Sequence, residues 1–539
     1  MRMSISKNKS KAIFLVLSLV ILGACAPQPR QESSATEPKL KTSCKKGSIR
    51  RGDCKLQGLA EQTQEADSDL WEHITSGFQL TDYTDNPRVQ EYFEFYRDRP
   101  VYLQTISERS SRYMHYIVEA INERNMPLEF ALLPAIESSF DPFAYSHGRA
   151  AGLWQFVPVT ARHMGLPRTW WYDGRRDVLA STEAALDYLL ELHSRFDGDW
   201  LLAMAAYNSG ATTVNRAIRR NRKAGRDTDF WSLSLPEETE AYIPKLLALT
   251  QLIKRSEEEG IAIAPIPNEA TFEVIDTDGQ IDLAQAAELA GISIDEIYHY
   301  NPGYNRWATD PNGPHRLAIP VQSAEQFRQA LAGIPPSQRL NWRRYQVAPG
   351  DSLIKIARRF NTDIATIKAA NELKSNAIRA GQTLLLPSAS MDDSHYSLSE
   401  GQRLAAAQQK GQSTGKQAVY HQVKSGESLW TISRRYRVNV NELARWNNMV
   451  PKDPLKIGRK LVIWQSEPIS VASGDRGSRS VIRWVSYTVR RGDSLARIAD
   501  RFSVNVNEIA QWNNIDTSKY LKPGQVLSLY VDVTQLSGR

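Results

Sequence analysis

One nine-residue phrase, written three times, constrains the fold of this chain more than any other feature. Tyr345-Gln346-Val347-Ala348-Pro349-Gly350-Asp351-Ser352-Leu353 returns as His421-Gln422-Val423-Lys424-Ser425-Gly426-Glu427-Ser428-Leu429 and as Tyr487-Thr488-Val489-Arg490-Arg491-Gly492-Asp493-Ser494-Leu495. In each copy an asparagine follows the glycine by 21 residues, at Asn371, Asn447 and Asn513. A second glycine then precedes alternating apolar residues: Gly381 with Leu384 and Leu386, Gly458 with Leu461 and Ile463, Gly524 with Leu527 and Leu529. Fixed spacing of this kind marks one structural unit used repeatedly. The phrase reads as an alternating strand, a glycine turn and a Ser or Asp cap. Leu353, Ile356, Ala357 and Phe360 follow at helical spacing, then a second short helix around Ile364 and Ile367, then a closing strand. The expected unit is βααβ, about 45 residues long, and small enough to need a compact core because no cysteine staples it.

These residues and spacings resemble the LysM domain, which implies binding of glycans that contain N-acetylglucosamine, such as peptidoglycan and chitin. The expected repeats span 341–389, 419–466 and 485–531. The resemblance carries a shallow sugar groove onto the loop after each first strand: Gly350, Asp351 and Ser352; Gly426, Glu427 and Ser428; Gly492, Asp493 and Ser494. The loop before each second strand, near Ile378, Pro454 and Leu521, would form its other rim. For the glycines, leucines and asparagines taken singly, turn and core duties are the better account. The connecting segments 388–418 and 466–483 are rich in Ser, Gln, Gly and charge and read as flexible. Three weak sites tethered to one strand gain from effective concentration. A fainter copy spans 266–335: Leu283, Ala287, Ala290, Ile294, Ile297 and Asn301 fall 70 residues before Leu353, Ala357, Phe360, Ile364, Ile367 and Asn371. Its glycine turn is displaced and its final loop lengthened over 307–315, so it reads as a degenerate LysM-like domain.

The N-terminus carries an address. Arg2, Lys7, Lys9 and Lys11 precede an uninterrupted small and apolar run over 12–24. That run is too short to span ~30 Å of hydrocarbon comfortably and reads as a secretory signal. It ends in Leu22-Gly23-Ala24-Cys25, which resembles the bacterial lipobox. The resemblance implies cleavage after residue 24, lipidation of Cys25 and stable anchoring by two or three acyl chains. Ala26 stands where Asp would signal retention in the inner membrane, so an outer-membrane lipoprotein facing the periplasm is expected. Residues 25–66 are polar and poor in large apolar groups, a tether by composition. Cys44 and Cys54 could pair within it. No cysteine follows Cys54, so the body of the protein folds by ordinary burial.

A length of 539 residues implies several domains, and 24% charged with 41% apolar residues is ordinary for soluble globular chains. The net charge of +7 conceals a division. Segment 67–265 holds more acidic than basic side chains, whereas the three clear repeats are basic, which suits an anionic wall. Nucleic-acid binding by those repeats is the competing reading of their charge, and an export signal argues against it.

Segment 67–265 is helical in pattern. Met114, Ile117, Val118 and Ile121 make one apolar stripe; Leu186, Leu189, Leu190 and His193 make another, with Ser181 or Thr182 available as its cap. His193 on such a stripe suits the core, as do Trp154, Trp170, Trp171 and Trp200, although tryptophans also stack on sugars. Neither His-Glu-x-x-His nor Cys-x-x-Cys occurs, so no metal site is expected. Leu132-Leu133-Pro134-Ala135-Ile136-Glu137 places one carboxylate directly after an apolar run, where desolvation would raise its pKa toward the range useful to a general acid, although on spacing alone a surface glutamate at a helix end is the better reading.

Four motifs then follow in order: Glu137-Ser138-x-Phe140-Asp141-Pro142; Ser146 with Ala150-Ala151-Gly152-Leu153-Trp154-Gln155-Phe156; Ala205-Ala206-Tyr207-Asn208-Ser209-Gly210; and Glu238-Thr239 with Tyr242. Together they resemble the soluble lytic transglycosylase-type domains of glycoside hydrolase family 23. The architecture implied is multidomain, a mainly α lysozyme-like catalytic domain followed by small α+β repeats. Arg149 departs from the family's usual glycine. The resemblance implies that Glu137 protonates the β-1,4 oxygen between N-acetylmuramic acid and N-acetylglucosamine in peptidoglycan strands. Glu137 would then take a proton from the C6 hydroxyl of the same muramyl sugar, closing a 1,6-anhydro ring without metal or cofactor. An intramolecular hydroxyl has a large effective molarity, so no second carboxylate is needed to activate water. By the same resemblance Ser146 bonds near the acid, Gln155, Tyr207 and Asn208 line or brace the cleft, and Glu238 and Tyr242 form its far wall. A lysozyme-like hydrolase and a non-catalytic wall-binding protein are the alternatives left by the residues themselves.

Overall fold

The structure, a computed structural model, describes residues 69–532 except 81, 82, 84, 147, 411–415, 466–481, 503, 514 and 516–520. The expected signal segment, Cys25, the tether with Cys44 and Cys54, and most of the second connecting segment therefore lie outside the described residues.

Ten α-helices among the described residues build the first domain: α1 (Leu70–Ser76), α2 (Pro87–Arg97), α3 (Pro100–Ser110), α4 (Met114–Asn122), α5 (Leu133–Ser138), α6 (Pro158–His163), α7 (Val178–Arg195), α8 (Trp200–Ser209), α9 (Ala211–Lys223) and α10 (Glu237–Lys254). The α4 stripe is realised as expected, with Met114, Ile117, Val118 and Ile121 fully buried. Residues 201–206 of α8 are buried on every side, and α8 is the central helix, packed by α7, α9 and α10. The cap of α7 is Asp177, which accepts from the Ala180 amide, and not Ser181 or Thr182. An extended residue before the first apolar position was available one turn earlier. Thr182 instead lies inside α7 and accepts the indole N–H of the fully buried Trp154. Trp171 is also buried, and Trp200 stacks on His193 with ring centroids 3.6 Å apart. Trp170 departs from the core expectation, being 41% exposed.

The degenerate unit runs β1 (Phe272–Asp276), α11 (Leu283–Ala290), α12 (Ile294–Tyr300), β2 (Arg316–Pro320) and a further helix, α13 (Val321–Ala332). The repeats follow as β3 (Asn341–Gln346), α14 (Leu353–Arg359), α15 (Ile364–Ala370) and β4 (Thr383–Ser388). Then, beyond α16 (Glu400–Gln409), come β5 (Gln417–Gln422), α17 (Leu429–Tyr436), α18 (Val440–Trp446) and β6 (Lys460–Gln465). The third copy is β7 (Ile482–Thr488), α19 (Leu495–Phe502), α20 (Val506–Asn513) and β8 (Val526–Asp532). Each unit pairs its two strands antiparallel in a sheet of its own.

The recurring asparagine explains how so small a unit holds together. In the second repeat Asn447 is fully buried; its amide donates to the carbonyls of Leu443 and Val462, and its carbonyl accepts from the Val462 amide, all at 2.8 Å. Asn371 makes the same three bonds to Ile367 and Leu385, and Asn513 makes them to Ile509 and Ser528. So does Asn301 of the degenerate unit, to Ile297 and Ala318. One side chain thus closes the end of the second helix and pins it to the last strand, satisfying three backbone groups at once.

Residues 388–410 of the first connecting segment correct the expectation of a slack linker; 411–415 lie outside the described residues. Tyr396 is buried and its hydroxyl donates to Asp282 at 2.9 Å. Helix α16 packs on α18, Glu400 pairs with Arg306 at 2.6 Å, and the Trp464 indole donates to the Gln408 carbonyl. The segment is held by polar bonds and a single buried aromatic ring, so its composition resembles that of a tether. The lengthened loop of the degenerate unit also has a use. Its Trp307 meets Trp171 edge to face at 5.5 Å, and the two indoles reach across to the Asn361 carbonyl and the Asp363 carboxylate of the first repeat.

Replacing Asn447 by Ala should leave a buried N–H and two carbonyls unpaired and cost the second repeat about 3 kcal/mol. Hydrogen exchange resolved by repeat is expected to show faster exchange in β6 and α18 while α8 of the helical domain stays protected.

Candidate active site

Helix α5 is only six residues long, and Glu137 is its penultimate residue. Ser139 and Phe140, both with φ near +52°, turn the chain sharply and send the Phe140 ring into the core. The end of α5 is tied down when the Ser138 hydroxyl donates to the Leu153 carbonyl at 2.9 Å. Ile136 beside it and this anchored end leave Glu137 half-buried at the wall of an open cleft.

The loop 144–156 forms the opposite lip, with short bridges pairing Ala151 with Tyr145 and with Phe156. Gly152 explains the glycine in its motif: φ is +84°, and a Cβ there would stand 1.9 Å from the Arg175 carbonyl oxygen. Arg175, itself 2% exposed, pairs with Asp173 through two hydrogen bonds of 2.9 and 2.7 Å. The same guanidinium donates to the carbonyls of Arg149 and Phe156, near the two ends of the motif. Arg149 adopts φ +67°, which accounts for the glycine preference its position departs from.

The cleft measures about 730 Å³ and brings together all seven side chains expected there: Glu137, Ser146, Gln155, Tyr207, Asn208, Glu238 and Tyr242. The Tyr242 hydroxyl donates to Glu137 at 2.6 Å. The Tyr207 hydroxyl donates to the Trp154 carbonyl at 2.8 Å, and Asn208 accepts from Thr239, joining the end of α8 to the start of α10. Gly210, at φ +84°, ends α8 just after this pair, so the Asn-Ser-Gly sequence is both a turn and a cleft wall. Gln155 and Ser146 bond within the lip itself, to the Gly152 carbonyl and from the Ala150 amide.

Burial pushes the Glu137 carboxyl up to about 7; repulsion from Glu238 adds to this, and the Tyr242 hydrogen bond opposes it. Tyr207 and Tyr242 are pushed well above 10, chiefly by burial and then by Glu137, and stay neutral donors. The arrangement therefore holds one carboxyl poised between acid and base near neutrality. The lining residues that escaped the sequence reading include Tyr188 and Lys245. Lys245 had a signal, since Glu238, Tyr242 and Lys245 recur at i, i+4 and i+7 on one face of α10. Tyr188 had none: it sits among the apolar residues of α7, tilted against Tyr207 at 5.7 Å.

The groove residues expected in the repeats have internal duties. Asp351 accepts from the Ala348 amide and the Tyr345 hydroxyl, Glu427 from the Lys424 amide and the His421 ring, and Asp493 from the Arg490 amide and the Tyr487 hydroxyl. Ser352, Ser428 and Ser494 accept from the amides of Lys355, Thr431 and Arg497, capping the first helix of each unit. Gly350, Gly426 and Gly492 hold the turns, with φ between +80° and +91°.

The Transglycosylase SLT domain family matches residues 115–230. The family described as "Lytic transglycosylase MltD, LysM-like domain" matches 271–335, and the LysM domain matches 345–387, 421–464 and 487–529. Over 405 residues the chain is 35% identical to the membrane-bound lytic murein transglycosylase D of Escherichia coli K12, covering 72% of this chain and 86% of that one. A protein of Alteromonas sp. strain M-1 named for tributyltin chloride resistance is 40% identical over 168 residues, 31% of this chain and 81% of its own. A solved lytic transglycosylase Slt from Pseudomonas aeruginosa shares 21% identity over 28% of this chain and 24% of its own, with a TM-score of 0.21. By the extent and identity of the Escherichia coli match, the chain belongs to the membrane-bound lytic murein transglycosylase D family.

Proposed function

We propose that this lytic transglycosylase acts through Glu137 as its single acid and base, cleaving the β-1,4 bond between N-acetylmuramic acid and N-acetylglucosamine in peptidoglycan. The observation that carries this reading is one carboxyl held near pH 7 by burial, 2.6 Å from the Tyr242 hydroxyl, in the wall of the cleft. In its neutral form Glu137 gives its proton to the departing glycosidic oxygen. The resulting carboxylate takes the proton of the muramyl C6 hydroxyl as that oxygen bonds to C1, which closes the 1,6-anhydro ring and restores the acid. Tyr242, a neutral donor throughout, steadies the carboxylate between the two transfers. Ser146, Gln155, Tyr207 and Asn208 shape the lip and floor against which the muramyl sugar is held, and Glu238 borders the far wall.

The repeats hold the enzyme to its polymer. Because the acid and serine of each first loop are committed to the turn and the cap, sugar contacts there fall to the backbone of the glycine turns and to the facing loop. The finer address follows the same reading: export by the signal segment, lipidation at Cys25 and residence at the outer membrane facing the periplasm. What supports it is the lipobox-like sequence and the membrane-bound designation of the Escherichia coli relative. Among the described residues no helix is long and apolar enough to cross a membrane.

Mass spectrometry of digested wall glycans should find products one water lighter than hydrolysis gives; reducing-end products instead would make the protein a lysozyme-like hydrolase. Glu137→Gln should lower the rate at least about 10²-fold, and an unchanged rate would remove Glu137 from the reaction. In a pH–rate profile, kcat/KM should fall as pH rises through about 7, where the acid form of Glu137 is lost. Tyr242→Phe removes a bond that favours the ionised carboxylate, so this limb should move to higher pH. Stability carries the same sign. The folded carboxyl titrates above its ordinary value of 4.5, so the cost of burying its charge is absent below that value and complete above about 7. Thermal melts should therefore show Glu137→Gln gaining on the parent at pH 8 and not at pH 4.

A further inference from the structure

A second cavity, about 800 Å³, opens where the helical domain, the degenerate unit, α16 and the second repeat meet. Six cationic side chains line it: Arg149, Arg168, Arg176, Arg306, Lys456 and Arg459. Only two carboxylates do, and both are taken. Glu400 pairs with Arg306 at 2.6 Å; Asp453 pairs with Arg149 at 3.2 Å and accepts from the Tyr145 hydroxyl at 3.2 Å. Asp173, just outside, is claimed by Arg175 at 2.7 Å and reaches Arg168 and Arg176 only at 3.5 and 4.0 Å. Arg168 and Arg176 thus share one carboxylate with Arg175, and among the described residues Lys456 and Arg459 form no ion pair.

Two of these cations sit where charge is disfavoured. Arg176 is 8% exposed, its Nε has no hydrogen-bond partner, and burial pushes its pKa down. Burial does the same to Arg459. An anion entering the cavity would offset that cost. Beside them Trp170 offers a flat apolar surface, backed by the Arg306 guanidinium 3.7 Å from its ring centre. The cavity also adjoins the cleft: Ser146, Gly148 and Ala150 line the catalytic side of one turn, while Tyr145 and Arg149 of the same turn line this one. Its far wall, Asp453 to Lys456, includes the loop that forms one rim of the second repeat's expected groove.

We propose that this cavity is a subsite for the carboxylates of the peptide stems carried by a glycan strand bound in the catalytic cleft. The inference rests on the peptidoglycan reading above. A strand whose muramyl groups carry peptides has an uncharged sugar backbone, so its negative charge lies on the stems. A stem leaving the cleft past Tyr145 and Arg149 meets the exposed Arg168 and Lys456 and the more buried Arg176 and Arg459, whose charge an anion would offset. The second repeat, which supplies Lys456 and Arg459, completes this site as well as tethering the enzyme.

The test compares full-length protein on peptide-bearing glycan strands and on strands stripped of peptides by an amidase, with the lactyl carboxylates freed by that cut then capped as neutral amides. Arg168 is exposed and lies outside both the cleft lining and the second repeat, so the neutralising change R168Q should leave the fold intact. The parent should prefer peptide-bearing strands, and that preference should shrink with added salt. The variant should lose about fivefold in kcat/KM on peptide-bearing strands and change less than about twofold on stripped ones. Equal parental rates on both strands, or an equal loss on both in the variant, would overturn the subsite. Inhibition of the parent by inorganic phosphate as strong as that by soluble stem peptide would overturn it too, making the cavity a general anion site. A parent that cuts neither strand would instead report a failure of the transglycosylase reading.

Discussion

The Arg175 guanidinium is the contact on which the working parts of the enzyme depend. Buried with Asp173 as its two-bonded partner, it donates at the same time to the carbonyls of Arg149 and Phe156. A charge pair at this depth earns little net stability against desolvation, yet losing either member would strand the other. What the pair supplies is geometry. It fixes both ends of the lip that carries Gln155 and faces Glu137, and its own backbone leaves room at position 152 for glycine alone. Through Arg149 the same contact reaches Asp453 of the second repeat. The lip, the cleft and the seam with the glycan-binding half are thereby set by one buried arginine.

Cleft chemistry follows from a similar economy. The proposed reaction asks a lone carboxyl to serve as acid and then as base, which needs a proton held neither tightly nor loosely at the working pH, and the burial of Glu137 beside Tyr242 suits that demand. A second strong carboxylate close by would disturb it. Glu238, the other acid lining the cleft, stays exposed on α10.

Much of this was legible from the sequence where local chemistry fixes local shape. The phrase around Gly350 encoded a strand, a left-handed turn and a serine cap, and all three repeats adopt them. Four ordered motifs located the cleft because Glu137, Tyr207 and Tyr242 each stand next to a small residue, and the lip that carries Gln155 turns at Gly152. What stayed hidden depends on distant partners. The start of α7 was misread because Thr182 looks like a cap until Trp154 arrives from 28 residues away. Residues 388–410 looked like a tether because their order comes from Asp282, Arg306 and Trp464, which no local pattern reveals. The roles of Asp351, Glu427 and Asp493 were obscured for a different reason: an acid beside a turn suits a sugar or a nearby amide equally, and only the folded strand supplies the Tyr or His that claims it.

The asparagine that closes each βααβ unit has an evolutionary consequence. Its three bonds go to main-chain atoms at every occurrence, from Asn301 to Asn513, so it imposes no demand on the identity of any neighbouring side chain. A copy can therefore exchange nearly its whole surface and still fold. The degenerate unit is the outcome of that freedom: it kept the asparagine, lengthened a loop and turned Trp307 toward the catalytic domain. A unit of the repeat's own design thereby serves as the joint between the helical domain and the first repeat.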